Sequence, residues 1–261
     1  MSNMKSSLAG AMLYLREELH DNGVDVKTAT WQGGDAPDAM IELIHAGFVA
    51  PMYADELSAT EALAPWQPWA SDHFQERTGG LPLNPPPSNA HWAKAGSAGD
   101  YLSKVDPTKF SHSYPERMWA SKVPGFSQGY RFANGDLGHL VEVLRKDPTT
   151  RQAYLPLWFP EDITAALDGE RVPCTLGYHF MMREGQLHVF YPMRSLDAVR
   201  HLHNDLWFVN MLALWVIQQA GLDAVPGLLN FQASSLHCFK NDRYPLSKLI
   251  KKAKQNGISN S

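Results

Sequence analysis

The chain is poor in cysteine. Cys174 and Cys238 are the only two among 261 residues. That is too few for a disulfide framework and suits a reducing compartment. The chain also lacks a basic excess: 23 Lys and Arg stand against 27 Asp and Glu, a net charge of -4. A protein built to grip a nucleic-acid backbone needs the opposite balance. No apolar run is long enough to span a bilayer. The longest, Leu206 to Ile217, is short and interrupted by Asn210, so it reads as a buried helix. The first residues lack a basic cap before an apolar core and reach Glu17, Glu18 and Asp21 early. They read as a helix rather than a signal peptide, and the expected location is the cytoplasm. There is no glycine-rich loop before a lysine and no dinucleotide fingerprint. The 11 histidines are scattered, and His201 and His203 have no further ligands to complete a metal site, so no metal is expected.

An apolar fraction of 44% with 19% charged residues is that of a folded globular protein, and the length suits one large domain. Eight tryptophans and 18 prolines are many for this length. Half of the prolines fall between Ala64 and Gln128, together with Trp66, Trp69, Trp92 and Trp119. Proline fixes φ and removes a donor, so this stretch predicts a long ordered connection held by aromatic rings. Around it, apolar spacing predicts a helix through Leu8, Met12, Leu15 and Leu19, stopped by Gly23. A second helix is expected from Pro37 to Ala46. A third runs from Asp136 to Lys146, with Asn134 as a possible cap. Gln152 to Phe159 reads as a strand. Thr175 to Arg183 and Gln186 to Met193 read as a hairpin around Glu184-Gly185. Asp205 to Gln219 is an apolar helix, Leu228 to Leu236 a strand, and the basic end a frayed, solvated terminus. The expectation is an α+β domain around one mixed or antiparallel sheet. Residues 1–110 would form a divergent N-terminal part, 111–240 the catalytic core and 241–261 a basic tail.

Gly125-Phe126-Ser127-Gln128-Gly129 fits the nucleophile elbow of serine hydrolases. That motif needs an apolar strand before the serine and a helix after it. Here Pro124 precedes it and a Gly135 turn follows, so a hydrolase using Ser127 is a distant alternative. A stronger constellation lies further on: Arg151-Gln152, Pro173-Cys174-Thr175, Met193-Arg194-Ser195-Leu196-Asp197, Asn204-Asp205 and Ser234-Ser235-Leu236-His237. A reactive Cys174 needs a nearby cation to lower its pKa, and Arg194 is a candidate. Taken alone, Cys174 reads equally as a small buried hydrophobe. Arg194-Ser195 sets a guanidinium fork beside a hydroxyl, which suits a phosphate group. Asp205 heads the apolar helix, where an aspartate also serves as a cap.

These pieces, in this order, resemble the thymidylate synthase superfamily, and within it phage deoxycytidylate hydroxymethylases most. The resemblance runs from about Tyr114 to Phe239. It implies a homodimer, with the sheet face as the interface, working in the cytoplasm of a phage-infected host. It implies a pyrimidine nucleoside monophosphate and 5,10-methylenetetrahydrofolate as substrates, without a metal, a membrane or a nucleic acid. Cys174 would be the nucleophile that adds to carbon 6 of the pyrimidine. Arg194, Ser195 and, across the dimer, Arg151 would hold the phosphate. Asp197 belongs to the hydrogen-bonding segment and Asn204-Asp205 to the base-reading position. His237 would approach the sugar. Tyr114 matches the family's tyrosine loosely. Glu76 is the choice for the catalytic glutamate, with Glu56, Glu61 and Glu116 as rivals.

Asp205 is the most informative position, because the resemblance places asparagine there in thymidylate synthases. A carboxyl group can donate to ring nitrogen 3 of cytosine and accept from its amino group. The implied reaction is therefore hydroxymethylation of dCMP, with methylation of a cytidylate or use of dUMP as alternatives. The sequence departs from the family at Gln152, where a second arginine is common, and at Phe239, where tyrosine is common.

Overall fold

The computed structural model describes residues 3–27, 30–31, 34–35, 39–94, 101–120 and 136–260. Helix α1 spans Leu8–Asn22 and starts at Ser7, whose side chain accepts from the Gly10 amide. Short strands β1 (Val24–Val26), β2 (Thr30–Trp31) and β3 (Gly34–Asp35) precede the long strand β4 (Met40–Pro51). Helices α2 (Glu56–Leu63), α3 (Trp69–Thr78), α4 (Asn89–Lys94), α5 (Tyr114–Met118) and α6 (Leu137–Lys146) follow. Then come β5 (Tyr154–Pro156), α7 (Glu161–Leu167), β6 (Gly177–Arg183), β7 (Gln186–Asp197), α8 (Leu202–Ala220), β8 (Val225–Phe239) and α9 (Arg243–Gln255).

Six strands form one mixed sheet in the order β1-β4-β8-β7-β6-β5. Only β7 and β8 run parallel; the other neighbours are antiparallel. A parallel pair needs a crossover, and α8 is that crossover. It is buried nearly all round, from Leu202 to Ala220, and packs on the inner sheet face with Tyr191, Met193, Phe231 and Ala233. Gly221, at φ +64°, ends it in the left-handed region. The β6–β7 hairpin turns at Glu184 and Gly185, both at positive φ, as a tight two-residue turn requires. The hairpin, the long helix and the strand after it all form where the spacing predicts them.

Four expectations are corrected. The expected helix from Pro37 to Ala46 begins outside the described residues, and residues 39–46 do not form one; Met40–Pro51 is a strand paired along its length with β8. Its apolar residues change parity, with Ile41 buried on one phase and Ala46, Phe48 and Ala50 on the other. The break falls at His45, which has φ +56°. That break destroys simple alternation and leaves a spacing that imitates a helix. The basic tail is not frayed: α9 buries Leu246 and turns Ile250 toward the same core, while Lys254 pairs with Glu17 of α1. The strand near residue 155 covers only Tyr154–Pro156. Asp136, not Asn134, caps α6. Within the proline-rich stretch, short helices α3, α4 and α5 stand between the connecting turns. Trp66 stacks on Trp69 there, and Trp69 meets Phe208 of α8 edge to face.

Candidate active site

The site gathers where the C-terminal half of β7 passes the segment before β6. Thr175 bridges Met193, and the Arg194 amide donates to the Cys174 carbonyl at 2.7 Å. These backbone contacts place Cys174 and Arg194 side by side. Arg194 Nη2 lies 3.9 Å from Cys174 Sγ, while its Nε points to the Pro173 carbonyl at 3.4 Å. Burial pushes the thiol pKa up; Arg194, and then Arg171, oppose that rise, while Asp205 and Asp197 add to it. The thiol therefore depends on its arginines for reactivity.

Tyr114 opens α5 behind the capping box of Ser113 and Glu116. Its hydroxyl accepts from the Thr175 amide at 3.3 Å, next to Cys174. Behind Thr175 lies a run of buried hydroxyls. Thr175 Oγ1 is 3.0 Å from Tyr191 Oη, and the Tyr191 ring stacks on Tyr178 at 4.9 Å. Burial raises all three tyrosines, and the charge of Asp205 raises them further. Asp205 therefore lies within electrostatic reach of Tyr114, Tyr178, Tyr191 and Cys174. It sits in the first turn of α8, three residues after the start, and His201 rather than Asp205 holds the cap position. Its carboxylate makes no hydrogen bond or ion pair among the described residues. Burial raises its pKa; His201 and Arg77 oppose this.

The other predicted residues take separate places. Asn204 is the residue before Asp205, about 100° round the helix from it. Its Oδ1 accepts from the Trp66 amide at 2.8 Å and so ties the tryptophan-rich stretch to α8. Asp197 is buried and accepts from the Val199 and Arg200 amides at 2.8 and 2.9 Å, fixing the turn from β7 into α8. Ser195 Oγ lies 3.3 Å from His237 Nδ1 across the β7–β8 pair, and Ser235 donates to Glu42. Burial lowers the His237 pKa, and Asp197 and Glu42 oppose it. Arg151 is exposed at the start of the segment leading to β5. Glu76 lies on α3. Its carboxylate accepts from the Ser88 amide and hydroxyl and lies 3.2 Å from His73 Nδ1. Glu116 is held by Asn84 and its own cap, and Glu56 and Glu61 are exposed. Ser127 lies outside the described residues. Among the described residues no group of three or more His, Cys, Asp or Glu converges as a metal would need.

Sequence reasoning missed Arg77 and Arg171. Trp69, His73 and Arg77 recur every four residues, so Arg77 continues the buried stripe of α3. Charge at an apolar phase was the signal that could have found it.

A profile of the family described as thymidylate synthase matches residues 91–259. The chain belongs to the thymidylate synthase family. The match includes every segment around Cys174, Arg194, Asp205 and His237, and it extends through α9. Two similar curated proteins are putative thymidylate synthases of Methanosarcina barkeri and Methanosarcina acetivorans. They are 24% and 23% identical over 156 residues, which is 59% of this chain and 64% of each relative. A third, from Methanosarcina mazei, is 25% identical over 129 residues, 48% of this chain and 57% of the relative. The chain thus spans less than two thirds of the length of these relatives. Among the described residues, no helix is long and apolar enough to cross a membrane.

Proposed function

We propose that this protein transfers a one-carbon unit from 5,10-methylenetetrahydrofolate to carbon 5 of dCMP, giving 5-hydroxymethyl-dCMP. Family membership supports the reaction class. The observation that carries the choice of base is Asp205: an unpartnered carboxyl group in the first turn of α8, within electrostatic reach of Cys174 and Tyr114. Cytosine offers an acceptor at nitrogen 3 and a donor at its amino group: a protonated carboxyl group serves both, whereas an ionised one leaves the uracil carbonyl at carbon 4 without a donor. A buried base edge left unpaired costs about 1–3 kcal/mol, enough to select one pyrimidine.

In this scheme the Cys174 thiolate adds to carbon 6, and carbon 5 becomes nucleophilic. Folate supplies the one-carbon unit. Arg194 and Ser195 hold the phosphate, and the phosphate takes the guanidinium fork that now rests against Pro173. His237, beside Ser195, meets the sugar. Tyr114 faces the nucleophile and takes part in proton movement near it. Asp197 and Asn204 keep the β7–α8 turn and the Trp66 segment in place around the base. Glu76 fixes the Ser88 turn next to the pocket. A second copy packed on the outer sheet face, where His188 and Phe190 are partly open, would let Arg151 reach the partner's phosphate. The enzyme would act in the cytoplasm of a phage-infected host.

Incubation with methylenetetrahydrofolate and dCMP, CMP or dUMP, followed by product mass, tests this. Hydroxymethyl and methyl products differ by one oxygen atom, and a methyl product also leaves dihydrofolate absorbance. Cys174→Ser should abolish turnover while sparing nucleotide binding. A methyl product, or dUMP as the better substrate, would replace the reading with the corresponding alternative.

A further inference from the structure

Arg77 is a buried cation without a carboxylate. It is 5% exposed, and no ion pair within 4.0 Å joins it to another described residue. Its Nε is buried without a hydrogen-bond partner. Two rings hold it instead. The guanidinium carbon lies 4.1 Å from the Tyr114 ring centre and 4.3 Å from that of Phe208. The Arg77 carbonyl accepts from Trp119 Nε1 at 2.8 Å. A buried, uncompensated charge is costly unless something nearby balances it. Phe208 is one turn along α8 from Asp205, on the same face. Asp205 brings a carboxyl group to this pocket, and that group makes no hydrogen bond or ion pair among the described residues.

We propose that Arg77 is the counter-charge to Asp205 in the base pocket and thereby a positioning residue for base selection. This rests on the reading of Asp205 as the residue that meets the base. A neutral carboxyl group alone does not select. Against cytosine its hydroxyl donates to nitrogen 3 and its carbonyl accepts from the amino group. Against uracil it turns over, accepting from the nitrogen 3 proton and donating to the carbonyl at carbon 4. A carboxylate has only acceptors, so it faces the uracil carbonyl with nothing to give. Cytosine can still meet it by taking one proton from solvent onto nitrogen 3, which makes two donors. A pocket that holds Asp205 ionised therefore excludes uracil more than cytosine. Around Asp205 stand His201 on α8, Arg77 on α3, Tyr114 on α5, Cys174, Tyr178 on β6 and Tyr191 on β7. Arg77 is the permanent cation among them, because a guanidinium does not give up its proton in a protein.

The test measures dCMP and dUMP binding and kcat/KM in the wild type, Arg77→Met and Arg77→Lys. With Arg77→Met, the dUMP to dCMP ratio of kcat/KM should rise about tenfold at neutral pH, with the alkaline limit for dUMP moving up by about one pH unit. Arg77→Lys should restore the wild-type ratio. Equal losses for both nucleotides with an unmoved pH profile would overturn the proposal and leave Arg77 a packing residue. If Arg77→Met does not fold, calorimetry of the intact wild type in buffers of different ionisation enthalpy decides. The proposal predicts uptake of about one more proton on dCMP binding than Asp205→Asn shows. Equal uptake by the two proteins means Asp205 is already neutral, and the proposal fails. Loss of the base-reading role itself gives a different result: Asp205→Asn would then leave the dCMP to dUMP preference unchanged.

Discussion

Arg194 holds a guanidinium nitrogen 3.9 Å from the sulfur of Cys174, on a backbone contact of 2.7 Å between the same two residues. The pairing follows from the sheet rather than from either side chain. The Thr175–Met193 bridge brings the loop before β6 to β7, and the following residue of β7 is Arg194. The proximity of the guanidinium to the thiol is therefore built into strand pairing.

That contact predicts how the thiol titrates. Burial raises the Cys174 pKa and Arg194 is the first group opposing it. The thiolate is the form that reacts, so alkylation by iodoacetamide rises as pH rises through the thiol pKa. Arg194→Met should move this rise to higher pH and slow alkylation at neutral pH. The same variant should raise KM for the nucleotide. An alkylation profile that does not move would show that Arg194 does not act on the thiol.

A second prediction concerns the scaffold beneath α5. Arg117 and Asp162 are both fully buried and form two short hydrogen bonds, at 2.6 and 2.8 Å, while Arg117 also donates to the Leu157 carbonyl at 2.7 Å. Asp162→Asn leaves the Arg117 charge buried without its partner. Urea denaturation should show a loss of about 3–5 kcal/mol. A change below about 1 kcal/mol, the range of a surface pair, would contradict the reading.

Much of the fold was legible because local spacing and tertiary need agreed. The β6–β7 hairpin had alternating apolar residues and a Glu184-Gly185 turn, and α8 was apolar all round, as a crossover helix between parallel strands must be. Strand β4 was not legible, because the parity break at His45 hides its alternation. Helix α9 was hidden by its lysines; its apolar stripe is narrow, and Leu246 alone is fully buried. At the site, residues carried by motifs could be named in advance: Cys174, Arg194, Asp205 and His237. Arg77 was not named, since a guanidinium at the end of a short helix reads as solvated unless its phase is compared with Trp69 and His73; the rings of Tyr114 and Phe208 cover it. The carboxylate of Glu76 was legible as a residue but not as a bond to Ser88, which depends on a distant turn.

A third prediction is a pH effect on stability. Burial lowers the His203 pKa to about 4, with Arg16 and His201 adding to the fall. The unfolded value is about 6.5. Between these values the unfolded chain binds a proton that the folded chain does not, so this residue makes stability fall as pH drops from about 6.5 to about 4. His203 Nδ1 is buried without a partner, so His203→Leu removes no hydrogen bond at that atom. The variant should lose part of the acid slope in a urea series while keeping its stability near neutral pH. An unchanged slope would mean that His203 charges as freely in the folded protein as in the unfolded one.

The most direct test of the central claim is the ratio of kcat/KM for dCMP to that for dUMP, with methylenetetrahydrofolate, in the wild type and in Asp205→Asn. The wild type should favour dCMP, and the asparagine variant should shift toward dUMP by about ten- to a hundredfold, the worth of one correctly paired base edge. A wild type that turns over dUMP better than dCMP would contradict the account.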